Sequence, residues 1–124
     1  MNSSAVMEQM NAMLSHDFAA LMSIVCQRAD VAPKDLLSRS RDMRLCFPRH
    51  IICTIMRERG YSYSRIGRCL LRDHATVIYG IRVLENALRV RKGYENFVAM
   101  YEDIKKEWEE YLKAMEKEDG DGKF

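Results

Sequence analysis

The sequence predicts a single all-α domain, and three observations carry the prediction. Apolar residues recur at spacings of three to five along most of the chain, and no segment shows a sustained period of two with β-branched enrichment. Pro33, Pro48, Gly60 and Gly93 fall where helices should start or stop. With 124 residues, 48% hydrophobic and 31% charged, the chain has material for one core. We expect one domain over residues 1–118, and a disordered tail over 119–124, where Asp119-Gly120-Asp121-Gly122 should fray.

The elements follow in order. Val6, Met10, Met13, Phe18, Leu21, Met22 and Val25 form the stripe of an amphipathic helix over 4–28, a core face by default or, given its methionines, an adaptable partner surface. Ala32-Pro33-Lys34-Asp35-Leu36-Leu37 reads as a short helix with Pro at its first position. Ser38 to Arg44 has no apolar period and reads as a loop. A helix should start at Pro48, carry Ile51, Ile52, Ile55 and Met56, and stop at Gly60. Ser62 is the next N-cap, with Tyr63, Ile66, Cys69 and Leu70 buried through about Leu71. Asp73 caps a longer helix with Val77, Ile81, Leu84 and Leu88 on one face. After Gly93, in the C-terminal segment 92–118, comes a last helix that carries Tyr94, Phe97, Val98, Tyr101, Ile104, Trp108, Tyr111, Leu112 and Met115.

Several function classes are excluded at this level. No window approaches eighteen uninterrupted apolar residues, and the Met-rich start carries Glu8, His16 and Asp17 where a signal peptide needs an apolar run. No membrane role is expected, and a cytoplasmic, nucleoid-associated protein is. The six glycines are too dispersed for a phosphate-binding loop, so no nucleotide is expected. Cys26, Cys46, Cys53 and Cys69 never fall at zinc-site spacings; they read as reduced core thiols, and no metal or other cofactor is expected. With three histidines and no paired-carboxylate or nucleophile constellation, the chain should not be an enzyme, and the one Cys-His proximity, His50 with Cys53, reads as packing.

Charge is informative once the chain is divided. Residues 1–27 hold two acids and no base, residues 28–91 hold fourteen bases against six acids, and residues 92–124 hold six bases against ten acids. In the middle segment Arg outnumbers Lys thirteen to one. Arg matches phosphate oxygens and guanine edges bidentately, so the segment is an electrostatic footprint for nucleic acid.

Two helices joined by a turn near Leu71-Arg72, the second opening with short polar side chains, form a helix-turn-helix pattern. The stretch Tyr61-Ser62-Tyr63-Ser64-Arg65-Ile66-Gly67-Arg68, followed by Arg72-Asp73-His74-Ala75-Thr76-Val77-Ile78-Tyr79-Gly80-Ile81, strongly resembles the C-terminal DNA-binding domain of the bacterial replication initiator DnaA. Asp35-Leu36-Leu37-Ser38-Arg39-Ser40-Arg41 and Pro48-Arg49 resemble that family's basic loop and the helix entry after it. The resemblance covers a core of about residues 24–91.

The resemblance implies a helix-turn-helix domain of the Trp-repressor and DnaA C-terminal type, here with extra N- and C-terminal helices, that binds a short asymmetric box in double-stranded DNA. Carried over by position, Asp73, His74, Ala75 and Thr76 would meet base edges in the major groove. Arg39, Arg41 and Arg44 offer the arginine that enters the adjacent minor groove, Arg41 first and Arg44 next. Arg49, His50, Arg65, Arg72 and Tyr79 would hold phosphates. Elementary chemistry agrees for the first group: a carboxylate can accept from cytosine, an imidazole can donate or accept, and a methyl can pack on thymine. Asp73 has a rival role as N-cap, which its two oxygens can share with base contact. Tyr79 can reach a phosphate or pack on Tyr61.

Departures from the family pattern point the same way or to divergence. Arg65 stands where relatives often have Glu to complete a capping box, and a cation at a helix N-terminus opposes the macrodipole, so a phosphate partner explains it better. Ala75 replaces a frequent hydroxyl, Tyr79 a usual histidine, and Ala32 a preferred Ser or Thr cap. Full initiators carry an ATPase module before this domain, so the expectation is a stand-alone protein or an excised fragment, with the final aromatic helix favouring a unit closed by its own lid. Sequence-specific duplex binding, as a regulator or as a competitor for initiator boxes, is the leading function, with another replication or regulatory protein as a further partner. The alternative is an interaction module using the N-terminal Met-rich or the C-terminal acidic helix.

Overall fold

The computed structural model of the protein describes residues 2–121, with side chains described from His16 to Lys117. It contains six helices: α1 (Asn2–Ala29), α2 (Pro33–Leu36), α3 (Met43–Glu58), α4 (Tyr63–Leu70), α5 (His74–Val90) and α6 (Glu95–Asp121). Among the described residues there is no strand. The last helix runs into the stretch expected to fray; the remainder of that expected tail, 122–124, lies outside the described residues.

α3 is the hub and packs on all five other helices. Its buried face runs through Leu45, Ile52, Ile55 and Met56 and meets Leu21 and Val25 from α1, Ile66 and Leu70 from α4, and Val77 and Leu84 from α5. The helix begins five residues before Pro48, which corrects the expected start. Asp42 caps it, its Oδ1 accepting from the Arg44 N–H at 2.9 Å while its carbonyl accepts from Leu45 and Cys46. Pro48 therefore lies in the second turn, where its missing N–H deprives the Arg44 carbonyl of a helical partner. Burial of Leu45 about two turns ahead of the Ile51-Ile52 pair offsets that loss.

α1 and α6 close the other side of α3. Asp17, buried, pairs with Arg59 at 3.3 Å and accepts from the Tyr61 hydroxyl at 2.5 Å, tying α1 to the α3–α4 connection. Burial, and then this carboxylate, push the Tyr61 phenol up to about 12. α6 sends Phe97, Val98, Tyr101, Ile104 and Trp108 into the core, with Trp108 stacked on Tyr111 at 5.3 Å. Cys26 and Cys53 are buried as expected, whereas Cys46 and Cys69 are half-buried; all four are free thiols.

Candidate nucleic-acid interface

The turn between α4 and α5 is closed by local chemistry. The Ser62 hydroxyl caps α4 by accepting from the Arg65 N–H at 3.2 Å. The helix ends on Leu71 in the left-handed region (φ 57°, ψ 43°), and the Arg72 N–H returns to the Gly67 carbonyl at 2.8 Å. A Cβ on Gly67 would collide with the Arg72 carbonyl oxygen, so glycine is what lets the turn fold back so tightly. Asp73 then caps α5, its Oδ1 accepting from the Thr76 N–H at 2.8 Å. That bond, and then the Thr76 side chain, hold the Asp73 carboxyl below the usual carboxylate range, and Asp73, His74, Ala75 and Thr76 are all exposed.

The basic loop before α3 is held from inside. Arg49, only 7% exposed, donates from Nε to the Leu36 carbonyl at 2.7 Å and from Nη1 to the Ser40 carbonyl at 2.6 Å. Its Nη2 donates to the carbonyls of Asp35 at 3.0 Å and Ser38 at 2.9 Å. Arg72 joins it: Nη2 donates to the same Ser38 carbonyl, and Nη1 to the carbonyls of Leu70 at 3.1 Å and Leu71 at 3.2 Å. Both arginines, expected to hold phosphates, hold backbone carbonyls in this structure. Arg49 has one N–H of five uncommitted, and Arg72 bridges the loop to the helix-turn-helix.

Between loop and α5 runs a cleft of about 730 Å³. Arg39 and Arg41, both exposed, line it from the loop; Asp73, Thr76 and Tyr79 line it from α5. The Cys46 thiol, also in the cleft, donates to the Arg41 carbonyl at 3.4 Å. Arg44 is not brought here. Its side chain is 84% exposed, pairs with Asp42 at 3.0 Å and borders a separate depression with Asp30 and Asp35.

His50 forms part of the cleft floor, half-buried between Phe47, Phe97 and Tyr79. Burial, and then the Arg49 charge, push its imidazole down to about 4, so it is neutral near pH 7 and brings no cation to a phosphate. Tyr79 lies edge-on to this ring at 6.1 Å rather than on Tyr61, and its exposed hydroxyl remains accessible. Arg65 sits half-buried in the first turn of α4 and makes no ion pair among the described residues.

Two features escape a reading by sequence. The Arg49 fork is invisible because its acceptors are backbone carbonyls nine to fourteen positions away. Gly80 lies in mid-α5, and a Cβ there would press on His50 Nδ1, so it sets how closely α5 approaches α3. A glycine inside a strongly periodic helix was the available signal for it.

Among the described residues no three or more His, Cys, Asp or Glu side chains gather as metal ligands would, and no helix is long and apolar enough to cross a membrane. The family described as bacterial dnaA protein helix-turn-helix matches residues 18–83, overlapping most of the 24–91 core. The chain is 31% identical over 77 residues to a chromosomal replication initiator protein DnaA of Leptospira biflexa, covering 61% of this chain and 18% of the relative. It is 27% identical over 99 residues to chromosomal replication initiator protein DnaA 2 of Chlamydia caviae, covering 79% and 21%. A Desulfotalea psychrophila relative of the same name is 33% identical over 70 residues, covering 56% and 15%. The chain thus spans about a fifth of the length of these curated relatives.

Proposed function

The chain belongs to the bacterial dnaA helix-turn-helix family, and from that premise we propose that it binds double-stranded DNA sequence-specifically, as a regulator of replication or transcription or as a competitor for initiator boxes. The observation that carries the reading is one juxtaposition. The exposed first turn of α5 borders the same cleft as the exposed arginines of the basic loop. In that reading Asp73, His74, Ala75 and Thr76 face base edges in the major groove, and Arg41 or Arg39 enters the minor groove alongside. Arg65 and Tyr79 meet flanking phosphates. Arg44, engaged with Asp42, takes the minor-groove role only by leaving that pair. The relatives are replication initiators about three and a half times this length, so box recognition, not origin melting, is what is proposed here.

Selection of bound sequences from random duplex DNA, followed by salt titration on the selected box, tests the proposal. Arg39, Arg41, Arg65, Arg68 and Arg82 make no side-chain hydrogen bond or ion pair among the described residues. If those five each neutralise a phosphate, log K falls against log salt with a slope of about −4.5. No enrichment of any sequence, or binding indifferent to salt, rejects the reading.

A further inference from the structure

Large apolar side chains left in water call for a reason, and here three of them gather at one place. Leu71 is 68% exposed, Tyr79 63% and Met43 57%, and all three border the cleft that holds Arg39, Arg41, Asp73 and Thr76. Leu71 carries an additional cost. Its backbone is left-handed, a conformation that Gly or Asn adopts with less penalty, and a side chain so exposed gains little core packing in return. Strain at an exposed residue beside a binding cleft points to function.

Resting on the DNA-binding reading above, we propose that Leu71, with Met43 and Tyr79, forms an apolar seat for the deoxyribose rings of the one DNA strand that passes through the cleft. With the start of α5 in the major groove and the Arg39–Arg41 loop in the adjacent minor groove, the strand that separates the two grooves has to run between them. That strand presents two chemistries, anionic phosphates and the C–H faces of sugars. The cleft presents their complements, arginines from the loop and an apolar rim from Met43, Leu71 and Tyr79. A ribose in the same seat would trade water at its 2′-hydroxyl for the Met43 and Leu71 side chains, which offer it no oxygen or nitrogen partner, so the seat favours deoxyribose over ribose on that strand.

The test uses the full chain, the selected duplex, and copies of that duplex in which a single 2′-hydroxyl is moved along each strand. Wild type should lose about fivefold or more in affinity when the hydroxyl falls at one or two adjacent sugars of one strand, and little elsewhere. Leu71→Asn, which suits the left-handed turn, should keep its Tm. It should weaken binding to the all-DNA duplex about three- to tenfold for any base sequence, with an unchanged salt slope, and narrow the ribose penalty. Met43→Gln, in a different element, should act in the same direction. Wild-type affinity in both variants, a ribose penalty that persists in them, or a shift in base preference overturns the sugar seat while leaving duplex binding intact. Failure of wild type to bind any duplex overturns the DNA-binding reading, and this inference with it.

Discussion

Replacing Arg49 with Ala separates a phosphate contact from a loop clamp. The side chain makes four hydrogen bonds to backbone carbonyls at 2.6–3.0 Å, and the guanidinium is almost wholly buried. Charge-assisted bonds contribute about 1.5–3 kcal/mol each when removed singly. These four act as one unit, some of the released carbonyls regain water at the surface, and the burial of a cation is relieved, so the net cost should be nearer 2–4 kcal/mol in total. In a domain of this size that lowers Tm by roughly 10 °C. DNA affinity should also fall, because Arg39 and Arg41 lose their fixed position beside α5, but the salt slope should not change. Arg49→Lys, with charge kept and the fork lost, should recover only part of either quantity. Urea denaturation and duplex titration at several salt concentrations read both. Unchanged stability, with a slope shallower by about one phosphate's worth, would refute the clamp and restore the phosphate role.

Other outcomes follow from the same geometry. His74→Ala should cost about 1–3 kcal/mol on the selected box and little on scrambled duplex, whereas Arg65→Ala should weaken all duplexes alike and make the salt slope shallower; paired titrations distinguish them, and a sequence-blind His74→Ala contradicts the groove assignment. His50 is held neutral with its pKa near 4 against 6.5 for the free side chain, so the unfolded chain takes up its proton first as pH falls. Stability should be full above pH 6.5 and drop by about 2–3 kcal/mol between pH 6.5 and 4, and His50→Gln should flatten that part of a denaturation series. Trp108→Ala, at a buried position in α6, should cost about 3–5 kcal/mol yet leave the DNA affinity of the folded fraction unchanged; the reverse pattern would place α6 at the interface.

The parts legible in the sequence are those set by neighbours a few residues apart. Ser62 and Asp73 cap their helices through N–H groups three positions on, and the period of Val77, Ile81 and Leu84 is a property of one helix. The start of α3 is not legible in the sequence, because Pro48 is a strong local signal and Asp42 a weak one among arginines. Only the long-range burial of Leu45 decides between them. The candidate site divides in the same way. The exposed first turn of α5 follows from its cap, while the fates of Arg49, Arg72 and Arg44 depend on where a loop lies in space. Their partners are carbonyls of distant residues or a carboxylate that could as well have faced solvent.

The excess of arginine over lysine in the middle segment therefore answers two demands. Holding an irregular loop against a helix bundle means satisfying several carbonyls that point in different directions. A planar cation with five donors does this from one side chain, as Arg49 does with Leu36, Asp35, Ser38 and Ser40. An ammonium, a compact charge on a flexible stem, would leave some of them bare. Arg59 with Asp17, Arg28 with Glu107 and Arg57 over the Tyr63 ring at 4.2 Å are likewise engaged within the fold. What remains facing solvent is a smaller group at the loop tip, on α4 and on α5. Those positions border the helix-turn-helix because the inward-turned arginines hold the loop there. About half of the arginine excess therefore goes into holding the fold together, and the remainder is left for solvent and a partner.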